Sequence, residues 1–430
     1  MKLNYRRTIL IGFAFMSISA FWQLYDSIVP KILTNVFGLG STLRGVIMAM
    51  DNVLALILLP LFGALSDRCD TPLGKRMPFI LFGTAGAISA MMTMSVAADM
   101  GSFIVFIAAL GIALLSMGTY RSPAVALMPD LTPPALRSKA NAVINLMGTI
   151  GGVYSLVFIS LLVKEGGSYI PIFACVAGFM AVSVIVLTAT INERKIKVKL
   201  KEEGVRLDDV PGTDSGDAEG SAGKLPSEVK RSLWLLLVSV FLWFTAYNAV
   251  TSVYSVYAEK VWGLKGGSFA SGLIVAMAAA VVAYVPIGYL STAFGRKKVI
   301  LAGIALMAAS FGSMVFIKTY SPIVYVLFVT VGFGWASINV NSYPMVVQMG
   351  REGDIGKFTG IYYTFSMSAQ ILTPILSGWF IDLFDDYRVL FPYSFVFSAL
   401  AFLVFSFVKH GDTKPAKPAS LLENYDVGND

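Results

Sequence analysis

Three ionisable side chains stand inside long apolar runs of this sequence: Asp26, Asp51 and Arg121. An ionised residue near the centre of a bilayer costs roughly 2.5–3.5 kcal/mol on insertion scales, so each should face a wet cavity or a partner. A carboxylate held there can take up and release a proton, and burial or a second carboxylate alters when it does so. Arg121 would pull toward the charged form and tune that exchange. A solute hydroxyl that accepts from Arg121 and donates to a carboxylate would link solute to proton, each binding better with the other present. In the first run Ser19, Gln23 and Asp26 fall at i, i+4 and i+7, with Trp22 and Tyr25 beside them. That spacing makes one polar-aromatic helix face. A rise of about 1.5 Å per residue puts Asp26 and Asp51 at similar depth, outside the midplane, with Arg121 somewhat deeper. Two plainer roles fit the same residues: a structural Asp51–Arg121 salt bridge, and an Asp26 exposed at a long outer helix end.

The elements that must position these groups are legible from composition. The 430 residues are 56% hydrophobic and 14% charged, with a mean hydropathy of +0.72. Such a chain does not make a soluble globule. A hydrocarbon core of roughly 30 Å takes about 20 apolar residues per helix. The runs that satisfy this are 8–30, 42–66, 78–98, 102–129, 139–163, 168–190, 232–257, 268–291, 298–317, 321–348, 358–381 and 389–408. The expectation is an all-α membrane protein with twelve transmembrane helices. Of 33 Lys and Arg, 25 fall in the N-tail, the even-to-odd loops and the C-tail. This positive-inside bias predicts a multi-pass protein of the cell membrane with N and C termini cytoplasmic. It also accounts for a pI near 9.2 through topology and anionic lipid headgroups of the bilayer, leaving no reason to invoke nucleic acid.

Several chemistries drop out. His410 is the sole histidine, so neither a His-based metal site nor a catalytic triad is expected. No Walker-type phosphate loop is present, Asp385-Asp386 has no histidine beside it, and neither cofactor nor metal is expected. The chain reads as a carrier, not an enzyme. Cys69 and Cys175 fall in an inner loop and a membrane span, so no disulfide is expected. The first apolar run is too long for a signal-peptide core and reads as a retained helix.

One long polar interruption, 191–231, divides six spans from six. Its first part is a basic run suited to an amphipathic surface helix, and its Gly/Asp/Ser-rich 211–223 stretch reads as a flexible linker. The organisation expected is a six-helix bundle over 1–190, the linker, a second bundle over 232–410, and a disordered cytoplasmic tail over 411–430. The halves match at an offset near 221 residues. Gly63-Ala-Leu-Ser66 before Gly74-Lys75-Arg76 pairs with Gly288-Tyr-Leu-Ser291 before Gly295-Arg296-Lys297-Lys298; Pro123 pairs with Pro344, Asn145 with Ser366, and Gly152 with Thr373. A duplicated, pseudo-symmetric unit places a binding site at the interface of its copies and exposes it to either face by rocking. Transport by a monomer is the expectation.

The segment Gly63-Ala-Leu-Ser-Asp67-Arg68-Cys-Asp-Thr-Pro-Leu-Gly74-Lys75-Arg76-Met-Pro78-Phe79 resembles the inner-loop signature of the major facilitator superfamily. Its longer form is similar to that of glycoside–pentoside–hexuronide cation symporters and sucrose–proton symporters. Arg121-Ser-Pro123 through Asp130-Leu-Thr, and Arg137-Ser-Lys139-Ala-Asn141-Ala, resemble the passage from helix four to helix five of the sucrose-type carriers. The resemblance implies the major facilitator fold and an inner gate at Gly63, Asp67, Arg68, Gly74, Lys75 and Arg76 that stabilises the outward-facing state. Asp67 can pair with a basic residue or helix end of the neighbouring bundle, and the basic residues can hold the inner ends together. Thr292 stands where a second Asp67 would, so the second latch should be weaker. Departures are visible too. Arg121 stands where melibiose-type carriers have an acid, Ala55 and Leu59 replace their paired helix-two acids, and Leu114 replaces an acid of sucrose-type carriers. These absences favour protons over sodium.

The function implied is sugar–proton symport, for a disaccharide or other glycoside; a sodium-coupled sugar symporter, or a facilitator or exporter of another small solute, is the alternative. A sugar presents hydroxyls around apolar ring faces, so its site needs amides and flat aromatic surfaces. The candidates are Trp22, Gln23, Asn141, Asn145, Tyr247, Asn248, Trp335, Asn339, Asn341, Tyr363 and Gln370. Close helix packing explains Gly148 and Gly152 equally well.

Overall fold

The computed structural model describes residues 3–133, 136–202, 226–349 and 355–412. In chain order its helices are α1 (Tyr5–Asn35), α2 (Ser41–Arg68), α3 (Met77–Asp99), α4 (Phe103–Asp130), α5 (Arg137–Leu162), α6 (Ile170–Thr190), α7 (Glu193–Glu202), α8 (Ser227–Lys260), α9 (Ala270–Phe294), α10 (Arg296–Met314), α11 (Ile323–Gln348), α12 (Ile355–Phe384) and α13 (Leu390–Ser406). Among the described residues there is no strand. Among the described residues twelve helices are long and apolar enough to cross a membrane; α7 is too short. Helices overrun the expected spans where polar flanks are themselves good helix ends. The first turn of α8 carries Glu228 and its last turn Lys260, each complementing the helix dipole. The 191–231 interruption is therefore partly helical: α7 and the start of α8 lie within it, whereas the 211–223 stretch and the tail from 413 lie outside the described residues.

Packing repeats the duplication. In the first half α1 packs on α5 and α6, α3 on α4 and α6, and α2 on α4. In the second half α8 packs on α12 and α13, α10 on α11 and α13, and α9 on α11, the same set one repeat later. The halves meet along α2–α12, α5–α9 and α1–α8. An even number of spans returns the chain to its starting face, here called terminal; the other face is distal.

The two copies of the loop between their second and third spans fold alike. Gly74 and Gly295 both take positive φ, +111° and +92°, a region open to glycine and strained for other residues. Beyond each, a carboxylate that follows the last span of its half caps the next helix. Glu193 accepts from the Arg76 backbone N–H at 3.0 Å, and Asp412 accepts from that of Lys297 at 2.9 Å. A Cβ on Gly74 would lie 2.3 Å from Glu193 Oε2, whereas Gly101, at φ +67°, has nothing within 4 Å. Gly74→Ala is thus expected to cost about 2–3 kcal/mol, against about 1 kcal/mol for Gly101→Ala. Thermal melting in detergent of the two variants checks this; equal melting temperatures would refute it.

Candidate functional site

A cavity of about 800 Å³ opens between the halves. From the first half it takes Trp22, Gln23 and Asp26 of α1, Asp51 and Asn52 of α2, Arg121 and Ser122 of α4, and Asn145 and Thr149 of α5. From the second half it takes Asn248, Thr251 and Ser252 of α8, Tyr284 of α9, Trp335 and Asn339 of α11, and Gln370 of α12. Its wall runs down to Pro129, one residue from the end of α4 at the terminal face.

The helices are tied so that these groups converge. Tyr120 Oη donates to the Ala14 carbonyl at 2.9 Å and Ser155 Oγ to that of Ala20 at 2.7 Å, fixing α4 and α5 against α1. Tyr25 Oη reaches the Met48 carbonyl at 3.3 Å, tying α1 to α2. Gln23 Nε2 donates to Ser27 Oγ at 3.0 Å. The Arg121 guanidinium sits over the Trp22 ring at 5.9 Å, a cation–π geometry. Asp51 Oδ1 accepts from both the backbone and side-chain nitrogens of Asn52, at 2.6 and 2.8 Å. Asp51 lies within electrostatic reach of Arg121, and Asp26 within reach of Asp51.

Of the fourteen coupling and sugar-site candidates, ten line this cavity: Trp22, Gln23, Asp26, Asp51, Arg121, Asn145, Asn248, Trp335, Asn339 and Gln370. Four do not. Tyr247 lies behind Trp335, stacked on it at 3.8 Å and 5°. Asn341 is buried and spends its amide on the Ser337 carbonyl of its own helix at 2.9 Å. Tyr363 belongs to a ring cluster with Tyr343 and Tyr362. Asn141 lies one turn nearer the terminal face than Asn145, outside the cavity wall. Residues absent from the sequence-based set are Asn52, Ser122, Thr149, Ser252 and Tyr284. The first two adjoin charged residues and the next two follow Asn145 and Asn248 by four, so helical spacing could have found them. Tyr284 carries no such signal.

On the distal face the halves are pressed together. A Cβ on Gly45 would lie 2.0 Å from the Pro374 carbonyl oxygen, one on Gly378 2.2 Å from that of Ser41, and one on Gly267 1.9 Å from that of Ile159. The N-cap of α2 is Gly40, which has no side chain to offer; Asp382 of α12 supplies the cap from the other half. Its carboxylate accepts from the Ser41 and Thr42 backbone N–H groups, both at 2.7 Å, and from Thr42 Oγ1 at 2.6 Å. Arg44 donates to Tyr387 Oη at 3.1 Å. Lys31, 2% exposed, pairs with Glu259 at 2.6 Å and donates to the Gly266 carbonyl at 2.6 Å.

At the terminal face the loop motif folds onto its own half. Arg76 Nε donates to Asp130 at 3.0 Å, and its other nitrogens reach Asp67 at 2.5 Å and Ser66 Oγ. Lys197 of α7 joins Asp130 and Glu193 at 3.4 and 2.9 Å. Burial alone would lower the pKa of Arg76, yet the hydrogen bonds and charges of Asp130 and Asp67 hold it above the ordinary arginine value. A Cβ on Gly63 would approach Ser122 Oγ to 2.9 Å, so this glycine lets α2 and α4 close. In this conformation Asp67 therefore pairs inside its own loop, because Arg76 just before α3 brings a cation within reach. Arg68 and Lys75 are exposed. Thr292 spends its hydroxyl on the Gly288 carbonyl of its own helix at 3.1 Å and offers no charge.

Comparison with known proteins agrees with this architecture. Sucrose transport protein SUC3 of Arabidopsis thaliana is 28% identical over 151 residues, 31% of this chain and 25% of that protein. Proton-associated sugar transporter A of Rattus norvegicus is 24% identical over 256 residues, 54% of this chain and 33% of its own. The chain thus spans a third or less of the length of these relatives. Among solved structures, peptide transporter POT superimposes with a TM-score of 0.66 at 12% identity, covering 94% of this chain and 93% of its own. A bacterial homologue of the iron transporter ferroportin gives 0.64 at 13% identity, covering 95% and 100%. These structural likenesses speak for the fold. The sequence model of the Major Facilitator Superfamily matches residues 11–285 and 275–424. With a match over residues 11–424, twelve candidate spans among the described residues and a shared fold, this chain is a multi-pass membrane protein and belongs to the Major Facilitator Superfamily.

Proposed function

We propose that this transporter is a sugar–proton symporter that carries a disaccharide or other glycoside by alternating access. The observation that carries the reading is the make-up of the cavity: two carboxylates and an arginine of the first half face amides and an indole of the second. Its volume falls within the range of about 300–1,000 Å³ usual for small-molecule sites. Trp22 and Trp335 offer flat surfaces for sugar ring faces, while Asn145, Asn248, Asn339 and Gln370 offer donors and acceptors to hydroxyls. The names of the sugar-transporting relatives support the same substrate class. In this reading 1–190 and 232–410 are the rocking bodies, joined by 191–231. The basic terminal face lies in the cytoplasm of a cell-membrane protein. With the distal seam shut and the cavity wall reaching Pro129, the conformation is the inward-facing one. Asp67 engages the second half only when the terminal face closes.

Proton and sugar enter together because each improves the other's binding. The proton removes one of two neighbouring negative charges, and the sugar bridges Arg121 to a carboxylate. Purified carrier in proteoliposomes with an imposed pH gradient tests this with labelled sucrose and maltose. The expected result is accumulation above equilibrium that collapses when a protonophore dissipates the gradient. Equilibration alone would point to a facilitator, and dependence on a sodium gradient to sodium coupling; either outcome overturns the proposal. Asp26→Asn is expected to abolish accumulation while leaving the carrier folded.

A further inference from the structure

Asp26 and Asp51 neighbour each other across α1 and α2, yet their surroundings differ. Asp51 Oδ1 takes two donors from Asn52, the backbone N–H at 2.6 Å and the amide Nδ2 at 2.8 Å, and Arg121 of α4 is within electrostatic reach. Asp26 lines the same cavity and accepts no hydrogen bond among the described residues. The other titratable groups facing the pair are Tyr25 of α1, whose hydroxyl donates to the Met48 carbonyl, Tyr247 of α8 and Tyr284 of α9. From α12 come only the uncharged Gln370 and Pro374. Donors aimed at a carboxylate oxygen stabilise its ionised form and fix its orientation. Of the two acids, Asp51 alone has such donors.

Resting on the symport reading, we propose that Asn52 is a positioning residue. It holds Asp51 as the standing counter-charge of Arg121 and thereby leaves Asp26 as the group that exchanges the transported proton. A proton from water on one face binds the Asp26 carboxylate, crosses with the sugar, and returns to water on the other face. No bond of the sugar changes. Beside the backbone N–H that any residue but proline would supply there, the Asn52 side chain adds one amide donor and no charge, so it biases one acid without adding a second countercharge to its neighbour.

Sugar counterflow exchange, which moves no net proton, is the discriminating assay when followed across a pH series. In Asn52→Ala the acid limb of exchange is expected to move to higher pH by about one pH unit. In the isosteric Asn52→Asp it should move further, and Asn52→Gln, which keeps an amide donor, should return it toward the parent profile. Thr93→Ala, on the exposed face of α3, should leave it in place. An unmoved profile, or an equal drop in rate at every pH, would make Asn52 merely structural and overturn the inference. Asp26→Asn should keep exchange at all pH values and lose accumulation, whereas Asp51→Asn should lose both. If Asp26→Asn still concentrates sugar while the parent does so, the division of roles fails and symport stands. If the parent does not concentrate sugar at all, the symport reading fails first.

Discussion

In a Gly45→Leu variant the distal seal between α2 and α12 is expected not to form, and uptake to fall roughly 100-fold in a carrier that remains folded. The reason is steric. Even a methyl group at Gly45 would sit 2.0 Å from the Pro374 carbonyl oxygen, a backbone atom that cannot rotate away. Overpacking at a close helix contact costs about 1–3 kcal/mol, and here the cost falls only on the state closed at that face. A 3 kcal/mol bias changes a two-state ratio by roughly 100-fold. The intrabundle contacts are untouched, so melting should change little. The direct measurement is labelling by a bulky impermeant maleimide of a thiol at Ser41→Cys, 3% exposed at the seam, with Cys69 and Cys175 replaced. Labelling should be much faster with Gly45→Leu, and unchanged with Gly178→Leu, where nothing lies within 4 Å. Labelling as slow as in the parent, with normal uptake, would mean that the α2–α12 contact is not the seal.

Glu259→Ala is expected to weaken the same face by about 3 kcal/mol through charge, not volume. Lys31 is 2% exposed and its ammonium would be left with the Gly266 carbonyl and the Phe269 ring, 5.1 Å from its centroid. Removing one partner of a buried pair leaves an uncompensated charge, which costs more than the pair itself was worth. Glu259 is 28% exposed, which puts the cost at the lower end of the roughly 3–5 kcal/mol that breaking a buried pair takes. The double variant Lys31→Met, Glu259→Leu should recover most of the loss, because neither charge then remains in a dry site. Comparing the single and the double variant with the parent, by melting and by the Ser41 thiol, gives the sign. A double variant worse than the single would show the pair to be favourable in itself.

The two seams explain why some residues were legible and others were not. Asp26, Asp51 and Arg121 announced themselves because a charge in an apolar run needs a reason, and all three line the cavity. Lys31 and Arg44 did not, since they sit near helix ends, where a long cationic side chain can reach the membrane–water interface and needs no further reason. Nothing in the sequence marks Asp382 as more than an acid at the end of a span, yet α12 delivers it to the uncapped N-terminus of α2, 340 residues away in sequence. Tyr247 and Asn341 illustrate the converse. Both are polar groups at membrane depth, yet one found its partner in the Trp335 ring and the other in its own helix backbone. A polar residue in a span must be satisfied, and the sequence does not say by what.

What the chain settles by itself is everything governed by solvent and by local geometry. Twelve spans follow from hydrocarbon thickness and two halves from a repeat near 221 residues. What only the tertiary structure decides is which side chains meet. Helices fix the depth of a residue and the face it occupies on its own helix, but contact depends on rotation and on which helix lies opposite. That is why Asp67 meets Arg76 of its own loop, and why Asp382 caps a helix of the other half.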